Sequence, residues 1–198
     1  MDIAALVSRL LDVIEADIAP KTREGVGRGN KIFGAAILRK ADWSVVVAET
    51  NNETENPLWH GEMHAIKKLY EAADRATLPD PKDCLFLATH EPCSLCLSAI
   101  TWGGYDNFYY LFSHEDSRDS FNIPHDLRIL KEVFGLPPGG YRTENAYWQG
   151  HKIGQLIASL DRGNREKLLS RVDDLHALYA DLSALYQAHK GGAGIPLD

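Results

Sequence analysis

Two short clusters in separate stretches of the chain limit its fold more than anything else does: His60-Gly61-Glu62 and Pro92-Cys93-Ser94-Leu95-Cys96. Two thiolates and one imidazole are soft-to-borderline donors. That set suits Zn²⁺ and leaves the fourth tetrahedral position to water, the mark of a catalytic metal as opposed to a structural one. A fold that uses this chemistry must bring His60 against Cys93 and Cys96. Pro92 fits the first turn of a helix, where its missing N–H is no loss. Cys93 is expected in that same turn, where the positive end of the helix dipole favours a thiolate. Cys96 lies three residues on, on the same face. Glu62 is two residues from His60, and such positions do not share a helix face. It is poorly placed to ligate beside His60 and well placed as a proton carrier over the open side of the metal.

The segments around these clusters set an order of elements. Ile3, Leu6, Leu10 and Ile14 give the N-terminus helical spacing, and 21–30 reads as a basic, Gly-rich loop. Apolar runs at 32–39 and 44–49 read as a hairpin, and Asn51–Pro57 as a polar loop. A helix is expected from Trp59 to about Asp74, with Met63, Ile66, Leu69 and Tyr70 on its apolar side. After a turn at Leu78–Asp83, Cys84–Thr89 is a continuous apolar run, the pattern of a strand buried on both faces. A helix at Pro92–Trp102 and a strand at 107–112 follow. The expected fold is therefore α/β, with a mixed sheet of at least four strands flanked by helices.

Beyond Ser113 the texture changes to helices at 124–134, 144–160 and 164–189, with a break at Pro137–Gly140. In the last helix Leu168, Val172, Leu175, Tyr179, Leu182 and Tyr186 form one apolar stripe, which must pack on its own domain or on a second copy of the chain. We expect residues 1–115 to form the core and 116–198 a helical extension packed on it, one domain overall. The tail GGAGIPLD is expected to fray.

Composition narrows the partners. The chain has 198 residues and a net charge of −7, from 28 acidic and 21 basic residues, a balance that discourages binding along phosphate backbones. Its three cysteines, Cys84, Cys93 and Cys96, are an odd count and include a C-x-x-C pair. With no basic leader before the first helix, they indicate metal or redox chemistry in a cytoplasmic protein, not a disulfide framework. No apolar run is long enough to span a membrane. A redox pair would call for a thioredoxin-like setting, which is lacking. His60 and His64 have the i,i+4 spacing of a zincin, but there Glu stands second in H-E-x-x-H and here it stands third. Cys84 reads as a small buried hydrophobe.

H-x-E followed by P-C-x-x-C resembles the zinc-dependent cytidine and deoxycytidylate deaminase superfamily. The likeness is wider than that pattern. His60-Gly61-Glu62-Met63-His64-Ala65-Ile66 is similar to the family's H-A-E-x-x-A-I, and Glu91–Cys96 to its E-P-C-x-x-C. Phe33-Gly34-Ala35-Ala36 resembles the first-strand P-F-G-A of the branch holding cytosine, guanine and tRNA adenosine deaminases. The resemblance covers roughly residues 1–115. It implies a cytidine-deaminase-like three-layer α-β-α domain in which His60, Cys93 and Cys96 bind Zn²⁺ and Glu62 is the general acid/base. It also implies that the Gly61 N–H meets the substrate carbonyl and that Asn51, with Asn52 competing, hydrogen-bonds the substrate. Trp59, beside a ligand, is the expected aromatic wall of the pocket. Three positions depart from the family pattern: Gly61 replaces Ala, Trp59 precedes the ligand, and His90 stands where a small or aliphatic residue is usual.

The expected activity is hydrolytic removal of an exocyclic amino group, as ammonia, from a small amino-heterocycle such as a free base or nucleoside, by a homodimer with no nucleic-acid or membrane partner. The alternatives are a tRNA-type nucleic-acid deaminase and a zinc-binding scaffold without catalysis. Glu62 argues against the scaffold, because a purely structural site does not need it.

Overall fold

Alternation along the strands sorts the molecule into layers. The computed structural model describes residues 2–72, 75–137 and 140–197. Its strands β1 (Gly34–Arg39), β2 (Val45–Thr50), β3 (Cys84–His90), β4 (Asn107–Phe112) and β5 (Gln149–Lys152) form one sheet in the order β2-β1-β3-β4-β5. β1 is antiparallel to β2 and to β3, whereas β3, β4 and β5 run parallel. Every residue of β3 and β4 is buried, as their unbroken apolar sequences require.

Ala36, Leu38, Leu85, Leu87, Tyr109 and Leu111 face one side of the sheet. There they meet α1 (Ile3–Val13), α2 (Ala19–Gly27), α7 (Ile153–Ala158) and α8 (Arg162–His189). Ala35, Ile37, Phe86, Ala88, Phe108 and Tyr110 face the other side, covered by α3 (Gly61–Ala72) and α4 (Ser94–Trp102). This is the expected cytidine-deaminase-like α/β fold with a C-terminal helix. Two short helices, α5 (His114–Asp119) and α6 (His125–Glu132), follow β4. The α8 stripe is buried within the chain, with Leu168, Leu175, Tyr179, Leu182 and Tyr186 in the core and Arg171 reaching Asp12 (2.6 Å) and Glu15 (2.9 Å). It is therefore not a surface for a second copy.

Several boundaries differ from expectation. The segment 21–30 is not a loop: a π turn at Ile14–Ile18 carries α1 into α2, which runs to Gly27. Pro20 sits where a helix needs no N–H, and Gly25 is buried so close to β2 that a Cβ there would lie 3.2 Å from Thr50 Cγ2. Gly25 serves close packing, while a Cβ on Gly27 would meet nothing within 4 Å. The expected helix at 144–160 is β5 followed by α7, because the open edge of β4 takes a parallel partner and gains a ladder of backbone bonds. α5 was not foreseen; Ser113 and Asp116 cap it reciprocally, a capping box. The tail does not fray throughout, since Ile195 is buried. Asp74 as the end of α3, the Pro138-Gly139 part of the expected break and Asp198 of the tail lie outside the described residues. Among the described residues no helix is long and apolar enough to cross a membrane.

Candidate active site

The site lies at the carboxyl ends of β3 and β4, where ligands of open α/β sheets bind. His60 immediately precedes α3 and Glu62 is its second residue. Cys93 is the N-cap of α4, with extended backbone (φ −67°, ψ 173°), one position earlier than expected. Its carbonyl accepts the first helical bond, from Leu97 N–H (2.8 Å). Cys96 sits in the first turn.

His60 Nδ1 lies 3.4 Å from Cys93 Sγ and 3.8 Å from Cys96 Sγ, and the three donor atoms all fall within 4.8 Å of one another. Two sulfurs and a ring nitrogen at that spacing fit one tetrahedral zinc, and among the described residues no fourth protein ligand joins them. Glu62 Oε2 accepts from the Cys96 thiol at 3.3 Å. Burial, then the charge of Cys93, pushes the Glu62 carboxyl up to about 7. The Cys96 thiol and then His60 hold Cys93 well below its usual value, while burial and Cys93 push Cys96 well above its own. Burial pulls His60 down, but the bond to Cys93 wins and sets it at about 9.

The structure explains the glycine where the family has alanine. A Cβ on Gly61 would lie 2.6 Å from Gly34 Cα, so α3 begins in direct contact with the β1 backbone. Asn51, fully buried, fixes that start: its Oδ1 accepts the Gly61 N–H at 2.6 Å, and its Nδ2 donates to Glu53, itself paired with Lys31 at 2.9 Å. The two groups assigned from sequence to the substrate are thus bonded to each other. Asn52 turns to Glu55 (2.6 Å). Trp59 does not line the pocket. It is the central residue of a tight turn closed by His60 N–H on Leu58 O (2.9 Å); Leu58 and His60 line the cavity, while the Trp59 ring lies under Lys67 Nζ at 5.7 Å. His64 Nδ1 donates to Thr50 O at 2.9 Å, away from the cluster, so the zincin reading has no geometric support. Cys84 is buried in β3, and its thiol is pushed up by that burial.

A cavity of about 330 Å³ opens onto His60 and Cys93. Phe33, Leu58, Leu95, Ile123 and Ile129 form its apolar walls, with Pro196 and Leu197 of the tail at its rim. A small inner recess continues to Glu62, Cys96 and His90. Asp126, in the first turn of α6, lines both spaces, and burial followed by the Cys93 charge pushes its carboxyl up to about 6. Sequence reasoning missed Asp126, since an acid at a helix start is ordinary and gives no signal of what lies across from it. Glu91 was quoted only as part of a motif. It accepts from His114 N–H (2.9 Å) and the Tyr141 hydroxyl, while His114 Nε2 donates to Pro92 O (3.2 Å), fixing the loop that carries Cys93.

Fold and site together define a zinc-binding deaminase architecture. The model of the cytidine and deoxycytidylate deaminase zinc-binding region matches residues 17–112. The guanine deaminase of Bacillus subtilis (strain 168) is 32% identical over 114 residues, 56% of this chain and 68% of that protein. Among solved structures, a protein in complex with 2,6-diaminopurine covers 95% of this chain and 84% of its own, at 18% identity and a TM-score of 0.51. Guanine deaminase from Nitrosomonas europaea covers 86% and 84%, at 18% identity and a TM-score of 0.48. The chain belongs to the cytidine and deoxycytidylate deaminase superfamily and is a hydrolytic deaminase.

Proposed function

We propose that the protein deaminates a free nucleobase or a closely related amino-heterocycle, with guanine-like purines the foremost class. The observation that carries this reading is a buried carboxylate, Glu62, beside a His/Cys/Cys donor set at the floor of a cavity of about 330 Å³. That volume is at the low end for small-molecule sites, roughly 300–1,000 Å³, and suits a one- or two-ring heterocycle. The named activity of the Bacillus subtilis relative supports the same class.

His60, Cys93 and Cys96 would hold the zinc, which when bound supplies hydroxide at neutral pH by lowering the pKa of water toward about 7. Glu62 takes the water's proton on its carboxylate and delivers it to the departing amino nitrogen, so that ammonia leaves and a carbonyl remains. Such proton transfers contribute a factor of roughly 10²–10⁴. Asp126 faces the cavity as an acceptor for N–H groups on the edge of the substrate. Asn51 acts through Gly61, holding the start of α3 and with it Glu62. Because α6 and the tail wall the cavity, residues 116–198 belong functionally to the core and are not a separate domain.

A free small molecule is favoured over a polynucleotide. The net charge is −7, and on the cavity wall Lys31 is paired with Glu53 while Asp126 adds a further carboxyl, a poor approach for flanking phosphates. The test is ammonia release from guanine, other aminopurines, cytosine, nucleosides and pterins, set beside tRNA and single-stranded DNA at physiological salt. Turnover of at least one free heterocycle is expected. Efficient turnover of the polymers alone would overturn the reading.

A further inference from the structure

The last residue of β3 is a histidine with no part in the proton transfers. His90 is 4% exposed, and its ring is enclosed by those of Phe33 (4.7 Å between centroids), Phe112 (5.0 Å), Phe121 (5.2 Å) and Tyr179 (5.4 Å). It also lines the inner recess, together with Glu62, Cys96 and Asp126. Nδ1 lies 3.0 Å from Thr89 Oγ1, and Nε2 has no hydrogen-bond partner among the described residues. Burial holds the ring neutral, with its pKa at about 3.

A buried polar atom without a partner destabilises a fold, and an apolar ring would fill the same aromatic box without that penalty. Nε2 is itself buried, and beside the four aromatic rings the polar space that His90 borders is the recess, the one direction from which a polar partner would reach it. Thr89 Oγ1 accepts Gly34 N–H at 3.0 Å and donates its one proton to Gly34 O at 3.2 Å. It is then left to accept from Nδ1–H, which puts the lone pair on Nε2.

We propose that His90 Nε2 accepts a hydrogen bond from an N–H of the substrate in the recess, which makes His90 a specificity-determining residue. The inference rests on the functional reading above, because it needs a heterocycle bound beside Glu62. It narrows the substrate class to rings with an N–H on the edge turned toward the end of β3.

The test uses full-length, zinc-loaded wild type, His90→Phe and His90→Gln, with the best free heterocycle of the panel as substrate. His90→Phe keeps the aromatic box and removes the acceptor; His90→Gln restores an amide oxygen close to the position of Nε2. His90→Phe should raise KM at least about tenfold with kcat changed less than about threefold. Its zinc content should be unchanged and its Tm equal or higher, and His90→Gln should recover part of the KM loss. An unchanged KM in His90→Phe would overturn the inference, as would an activity loss matched by a fall in Tm. Wild type that turns over none of the free heterocycles would instead sink the proposed function, and this inference with it.

Discussion

The two faces of the sheet are built to different ends. On one face α1, α2, α7 and α8 bury the larger cluster, and α8 alone runs for 28 residues. These helices contribute bulk, and none of His60, Glu62, Cys93 and Cys96 lies on them. On the other face α3 and α4 are short, 12 and 9 residues, and what matters is where they begin. Both start at the carboxyl ends of strands, and both turn the positive end of the dipole toward the site, favouring the Glu62 carboxylate and the Cys93 thiolate. Small contacts set those starting points: Gly61 against Gly34, Asn51 on Gly61 N–H, and His114 on Pro92 O. One face makes the fold stable, and the other makes a few atoms coincide.

The largest expected effects are on the site face. Cys93→Ser or Cys96→Ser should abolish turnover, empty the zinc site and lower stability, because metal affinity is linked to folding. Glu62→Gln should keep its zinc and its Tm while kcat falls by roughly 10²–10⁴, since it removes a proton carrier and not a ligand. Metal analysis beside steady-state kinetics separates the two. A Glu62→Gln protein that arrives without zinc would make Glu62 a ligand and break the division of roles.

The opposite face should show the reverse pattern. Leu175 is 1% exposed in the core beneath α8. Leu175→Ala should cost about 2–5 kcal/mol of stability, from lost burial and the cavity left behind. Turnover per folded molecule at a temperature well below Tm should stay near wild type. Denaturant unfolding gives the first quantity and active-site titration the second. A loss of kcat as large as that from Glu62→Gln would show that the two faces are not separable.

What could be read from the sequence divides along the same line. His60, Glu62, Cys93 and Cys96 stood out because metal chemistry needs those residue types at those spacings, and β3 and β4 stood out because a doubly buried strand needs an unbroken apolar run. Asp126 and His90 carry no such local sign: their surroundings come from α6, β1, β4 and α8, distant in sequence. Trp59 adjoins a ligand, which points to the pocket, but it lies in a tight turn that carries its ring to Lys67 instead. β5 was hidden because Gln149-Gly150-His151-Lys152 has little strand propensity of its own and is held by the edge of β4.

The smallest effect expected is a slope with pH, and it tests whether His90 is held neutral by the rings that enclose it. Its folded pKa is lowered from 6.5 to about 3, with burial the main cause, Asp116 opposing it and His114 adding to it. The stability tied to the neutral ring is fully present above about pH 6.5. Below that, the unfolded chain takes up a proton that the folded one refuses, so stability falls by about 1.4 kcal/mol per pH unit until the folded ring itself protonates near pH 3. Phenylalanine cannot titrate. The stability gap between His90→Phe and wild type should therefore widen in favour of the variant by about 2 kcal/mol between pH 7 and pH 5. Buried acids such as Asp126 titrate in both proteins and cancel in the difference, as does the weakening of metal affinity at low pH. Urea unfolding of the two proteins at pH 7, 6 and 5 supplies the measurement. Parallel stability curves would mean that His90 is already protonated or solvated in the folded protein, and the neutral acceptor assigned to the recess would go with them.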